Sequence, residues 1–130
     1  MISYISLFFI YAFIGWILDT CYRSVVDGKY SSGTALPFLS LIYGFGGLFL
    51  TIFFRYLPLP IFFHILLGTL LVILVEFSGG LFCLHVLKKR YWDYSQEAGN
   101  FLGHIDIIHS IYWFLLVIFF RLLFPFFFSH

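Results

Sequence analysis

Within an apolar run covering positions 61–85, the sequence places one carboxylate, Glu76, about 13 Å from the end of the run by helix rise. A carboxylate at that depth in hydrocarbon is costly. Protonation, pairing or a hydrated cavity avoids the cost, and each ties the residue to protons, cations or a solute. Asp19 and Arg23 stand i, i+4 in the first apolar run, a spacing at which they neutralise each other on one helical face. His104, Asp106 and His109 form a His-x-Asp-x-x-His pattern that offers metal donors. That spacing is weak as a metal signature, and histidines satisfied at a membrane surface account for it as well, so no metal and no cofactor is expected.

Small and polar residues recur at three- and four-residue steps in every apolar run, which keeps them on one helical face. The first run offers Ala12, Gly15, Asp19 and Arg23; the second offers Ser40, Gly44, Gly47 and Thr51. The third has Thr69, Val72, Glu76, Gly79 or Gly80, and Cys83, and the fourth has Asp106, His109, Ser110 and Trp113. Membrane helices turn such residues toward their neighbours, so four stripes are expected to meet as a polar seam inside one bundle. Packing alone explains the glycines. Glu76 is the member for which function is the default expectation.

The elements that would position this seam follow from composition. Of 130 residues, 62% are hydrophobic and only 10% charged, with 20 Phe, and the mean hydropathy is +1.04. A small water-soluble domain leaves about a third of its unfolded-chain surface exposed and could not hide that many apolar side chains. The expected fold is therefore all-α, an integral membrane bundle of about four transmembrane helices in a single domain over 1–130. The spans lie at approximately 3–22, 36–57, 61–85 and 105–125. Arg121, near the end of the last span, is expected to snorkel toward the headgroups. The first run lacks a basic leader and a small-residue cleavage site, so it reads as a retained helix.

Leu57-Pro58-Leu59-Pro60 makes a tight connection between the second and third spans and forces a hairpin. The longer connections, 23–35 and 86–104, hold Arg23, Lys29, Lys88, Lys89 and Arg90, against Arg55 and Arg121 on the other side. Five against two puts those loops in the cytoplasm and the termini outward. Tyr4, Tyr22, Tyr30, Tyr56, Tyr91, Trp92 and Tyr94 cluster at the proposed interfaces, as amphipathic rings do. The net charge of +1 provides no field to hold nucleic acid. Cys21 and Cys83 have no CxxC spacing and indicate no redox compartment.

The segment Arg90-Tyr91-Trp92-Asp93-Tyr94-Ser95, followed by Asn100, Gly103, Ile105, Ser110 and Trp113, resembles a pattern of the bacterial membrane family named Putative ABC-transporter type IV. Tyr11 to Trp16, Asp19 where the family commonly has Glu, Tyr22-Arg23, Ile42 to Gly46 and Glu76 to Gly79 also match. The resemblance thus runs from Tyr11 to Trp113. A departure lies in the first loop, where Ser31-Ser32-Gly33-Thr34-Ala35 replaces an Asn-Arg-Gly-Phe-like stretch. The resemblance implies a small permease-like subunit of the cell membrane. In that setting Trp92-Asp93-Tyr94-Ser95 would cap the cytoplasmic mouth of the bundle, with Asp93 or Ser95 N-capping a short helix. An interfacial aromatic anchor is the other reading of the same residues.

The expected function is a membrane transport component whose seam holds or passes a small solute. Glu76 is its charge-sensitive group and Asp19 lies near the cytoplasmic entrance. Arg23, Trp92, Asp93, Ser95, Asn100 and His109 complete the candidate set. The alternative is a non-transporting partner that stabilises or regulates another membrane protein. Enzyme chemistry has no motif here. Beyond the lipid bilayer, the expected partners are further copies of the chain or a larger membrane complex, because four such helices enclose little volume. The sequence contains no Walker A motif, so ATP-driven transport would need a separate ATPase subunit.

Overall fold

Three of the four helices start at a side-chain cap. Ser3 accepts from the amide of Ser6 at 3.2 Å, Ser40 from that of Tyr43 at 3.4 Å, and Asp106 from that of His109 at 2.8 Å. A computed structural model describes residues 3–30, 40–89, 92 and 95–128. It contains α1 (Tyr4–Asp27), α2 (Leu41–Tyr56), α3 (Ile61–His85) and α4 (Ile107–Phe127), with no strand among the described residues. Pro60 stands at the N-cap of α3 without a side-chain cap bond; its carbonyl accepts from the His64 amide at 3.0 Å, and its lack of an N–H costs nothing at a helix start. Gly28 ends α1 in the left-handed conformation, φ +70°, that a residue with a side chain adopts only with strain.

The fold is all-α, as expected. α1, α3 and α4 are long and apolar enough to cross a membrane. Several boundaries move. α1 continues through Arg23 to Asp27, so the first five positions of the predicted 23–35 loop are helix, while 31–35 lie outside the described residues. α2 begins at Leu41 rather than near 36, because Ser40 is extended and caps it; at 16 residues it is about 24 Å long, against a hydrocarbon core of about 30 Å.

Successive helices pack antiparallel. Tyr4 meets Tyr56 at 3.0 Å through their hydroxyls, Tyr11 meets Thr51 at 2.7 Å, and Gly15 lies against the Tyr43 side chain. Gly68 of α3 packs beneath Leu50 of α2 and Val117 of α4. The core is formed by Leu50, Phe54, Val72, Trp113, Val117 and Phe124. α1 reaches α4 through ring contacts, Tyr11 with Phe120 at 5.5 Å and Tyr22 with Tyr112 at 5.3 Å. Phe9, Phe13, Leu70, Leu74, Leu115, Phe119 and Leu122 face outward around the bundle. An apolar exterior of this kind is solvated by lipid.

The amide of Ser40 donates to the carbonyl of Ala12 at 2.9 Å. Ala12 lies well inside α1, whose far end is about 20 Å further along. α2 therefore starts beside the middle of α1 and covers only its N-terminal part.

Arg121 departs from expectation. Its Nε donates to Nδ1 of buried His64 at 3.0 Å, and its guanidinium sits 5.8 Å from the Phe54 ring centre. Nε2 of His64 then carries the proton and donates to the Leu57 carbonyl at 2.6 Å. A neutral imidazole acceptor inside the bundle draws the guanidinium inward and ties α4 to the α2–α3 turn.

Candidate functional site

The seam assembles as the spacing predicts. Ala12, Gly15, Ser40, Gly44, Thr51, Thr69, Val72, Glu76, Gly80, Asp106 and Trp113 are buried, while Asp19, Arg23, Gly47, Gly79, Cys83, His109 and Ser110 are half-buried. At the level where α2 begins, a cavity of about 400 Å³ opens between α1, α3, α4 and the first residues of α2. Its walls include Asp19, Tyr22 and Arg23 from α1, Ser40 and Tyr43 at the start of α2, and Glu76 from α3. α4 contributes His109, Tyr112 and Trp113, and Trp92 completes the lining.

Glu76 is 7% exposed, so its carboxylate is shielded from bulk solvent and depends on local donors. One is the indole of Trp113, whose Nε1 donates to Oε1 at 3.2 Å. Trp113 is itself buried and tilts against Tyr43, ring centres 4.8 Å apart. These contacts fix the carboxylate between α2, α3 and α4.

The predicted Asp19–Arg23 pair forms. Arg23 Nε donates to both carboxylate oxygens at 3.0 Å, a charge-assisted arrangement on two half-buried side chains. His109 is brought to the cavity by Asp106, whose Oδ1 accepts both the His109 amide at 2.8 Å and a bond from Nδ1 at 2.7 Å. The same Asp106 side chain is fully shielded from solvent and leaves Oδ2 without a hydrogen-bond partner among the described residues. His104 lies apart from His109, against Gly80 and Phe77. No group of three metal-donor side chains is assembled among the described residues.

The loop residues divide. Trp92 is buried, lines the cavity and donates from Nε1 to the His104 carbonyl at 2.9 Å. Ser95 and Asn100 are exposed and lie outside the lining. Asn100 organises the turn, with Nδ2 donating to the carbonyls of Ser95 at 3.2 Å and Glu97 at 3.0 Å, and Oδ1 accepting from Gly103 at 3.2 Å. Ser95 caps no helix, since 95–99 form turns. Asp93 lies outside the described residues.

The sequence reading missed three aromatic members of the wall, Tyr22, Tyr43 and Tyr112. Their register held the signal: Tyr22 lies three residues after Asp19 and Tyr112 three after His109, so each shares its partner's helical face.

A family model described as Putative ABC-transporter type IV matches residues 6–130. No curated protein and no solved structure matches the chain.

Proposed function

The chain belongs to the Putative ABC-transporter type IV family, and from that premise we propose that it is a transport component of the plasma membrane that holds a small solute in the cavity beside Glu76. The observation that carries this reading is a buried carboxylate in the wall of a 400 Å³ cavity at the depth where α2 begins. Acidic groups inside membrane bundles mark solute and ion pathways because their desolvation has to be offset by protonation, by pairing, by water or by a bound solute. A helix that starts partway along its neighbour, beside a cavity, is a recurrent construction for such sites. The basic loops face the cytoplasm, Asp19 and Arg23 stand at the cytoplasmic approach, and a separate ATPase subunit supplies energy if movement is driven by ATP.

The test is uptake in cells whose transport depends on this chain, with Glu76→Gln at matched membrane levels. A loss of at least about tenfold is expected, as for removal of a buried charged contact. Unchanged uptake would remove Glu76 from the role.

A second reading has its own observation. An apolar groove of about 640 Å³ runs along α2 and α3, lined by Phe45, Phe49, Leu71, Leu74 and Phe82 among others. It suits an apolar transmembrane helix of another subunit, and a chain acting only as a stabilising partner would use it. A photo-crosslinker at Leu74 that captured one stoichiometric membrane partner, with no solute flux in the reconstituted complex, would favour this reading.

A further inference from the structure

We propose that the end of the bundle away from the cavity holds the phosphate of an anionic phospholipid on the Arg121 guanidinium. Arg121 is half-buried, and its side chain stays charged in proteins. Its Nε is turned inward, donating to Nδ1 of His64 at 3.0 Å, and its guanidinium carbon lies 5.8 Å from the Phe54 ring centre. His64 is itself buried and anchored through Nε2 to the Leu57 carbonyl at 2.6 Å, so the guanidinium is held at a fixed bearing. Its two Nη nitrogens have no hydrogen-bond partner among the described residues, and neither is sealed from the surface. A neutral imidazole and a ring face offset only part of a full charge. What remains is a planar donor fork that matches two oxygens of a phosphate.

The distribution of charge decides the sign of the occupant. The acidic side chains among the described residues are Asp19, Asp27, Glu76, Glu97 and Asp106, all toward the loop end. Glu76, the one that shares α3 with His64, stands about 18 Å further along by helix rise. Arg55, in the last turn of α2, adds a second cation at the Arg121 end, where no carboxylate side chain among the described residues balances either. Arg121 is about 9 Å by helix rise from the end of α4, and His64 is in the first turn of α3. Tyr4 and Tyr56, whose hydroxyls pair at 3.0 Å, are exposed at the same end and mark the level of the headgroups. In a bilayer the anions at that level are lipid phosphates. Exposed Phe62 of α3 and exposed Leu122 and Phe126 of α4 offer apolar surface to the acyl chains. The lipid is thus independent of any solute held beside Glu76.

The test is thermal unfolding of the purified full chain in maltoside detergent with increasing amounts of phosphatidylglycerol, phosphatidylcholine or soluble glycerol phosphate. A ligand held only by the folded chain raises the unfolding temperature with its concentration. Phosphatidylglycerol should do so saturably, at a concentration about fivefold below that needed of zwitterionic phosphatidylcholine, and glycerol phosphate should have no effect. Arg121→Gln should shift the phosphatidylglycerol dependence about tenfold upward, as loss of a hydrogen-bonded charged contact does. Arg121→Lys keeps the charge without the fork; it should show an intermediate shift and provides a second variant if the first fails to fold. A fall in unfolding temperature that is the same with and without phosphatidylglycerol in both variants would overturn the proposal and leave Arg121 as a tie between α3 and α4. Stabilisation by glycerol phosphate equal to that by phosphatidylglycerol would overturn the lipid as the source of the phosphate.

Discussion

The indole of Trp113 and the carboxylate of Glu76 join α4 to α3 by a 3.2 Å hydrogen bond between two side chains that are each 7% exposed. A hydrogen bond to a charged group contributes about 1.5–3 kcal/mol, and leaving its acceptor buried without that donor costs about as much. Trp113→Phe keeps the ring against Tyr43 and removes the donor. It should lower stability in detergent by about 2 kcal/mol. Glu76→Gln keeps an acceptor oxygen and should cost less. Combining Trp113→Phe with Glu76→Leu should cost less than the sum of the single changes, with a coupling of about 0.5–3 kcal/mol in a double-mutant cycle. Strict additivity would mean that the bond does not form.

Two glycines on the α1–α2–α3 contacts should respond oppositely to alanine. A Cβ at Gly15 would overlap the Tyr43 side chain near its backbone, where a small rotamer change gives no relief. Gly15→Ala should therefore destabilise by about 1–3 kcal/mol, the usual cost of overpacking. At Gly46 the added Cβ would stand 3.5 Å from Val72 Cγ1, an ordinary contact. Gly46→Ala should be neutral or stabilise by up to about 1 kcal/mol through helix propensity. Thermal unfolding in detergent separates the two.

Asp106 performs two tasks, capping α4 and holding His109. Asp106→Ala should cost about 0.5–2 kcal/mol through loss of the cap. Asp106→Asn retains a capping oxygen and should cost less, while weakening the hold on the imidazole. If uptake changes in Asp106→Asn without a change in unfolding temperature, the orientation of His109 matters to the site. A parallel fall in both would assign Asp106 to stability alone.

Orientation can be read by labelling. With Cys21 and Cys83 replaced by Ala, a cysteine at exposed Ser95 should react with an impermeant thiol reagent only after cells are opened. A cysteine at exposed Tyr56 should react in intact cells. The reverse pattern would invert the proposed topology.

Much of this architecture was legible in residue order because lipid imposes a simple rule: apolar runs become helices, and polar groups within them turn toward one another. Glu76, Thr51 and Thr69 obey that rule, and so does the Asp19–Arg23 pair, whose spacing alone dictated its partners. The start of α2 was less legible. Leu36, Phe38 and Leu39 are as apolar as the helix that follows, so hydropathy gave no boundary, whereas the capping oxygen of Ser40 does. Arg121 was misjudged for a related reason: its inward partner, His64, lies 57 positions away, beyond any local pattern. Tyr22 and Tyr112 likewise become one wall only once α1 and α4 are adjacent.

The stagger between Ser40 and Ala12 also shapes the electric field. A membrane voltage falls across whatever low-dielectric thickness separates the two aqueous phases, and each unit charge crossing it exchanges about 2.3 kcal/mol per 100 mV. Where water fills the cavity, the remaining insulating thickness is set by α2, about 24 Å of helix. Under the proposed transport role, a charged solute reaching Glu76 from the loop side would cross little of the drop, and onward passage along α2 would carry most of it. Occupancy should be nearly indifferent to voltage, and translocation steeply dependent on it.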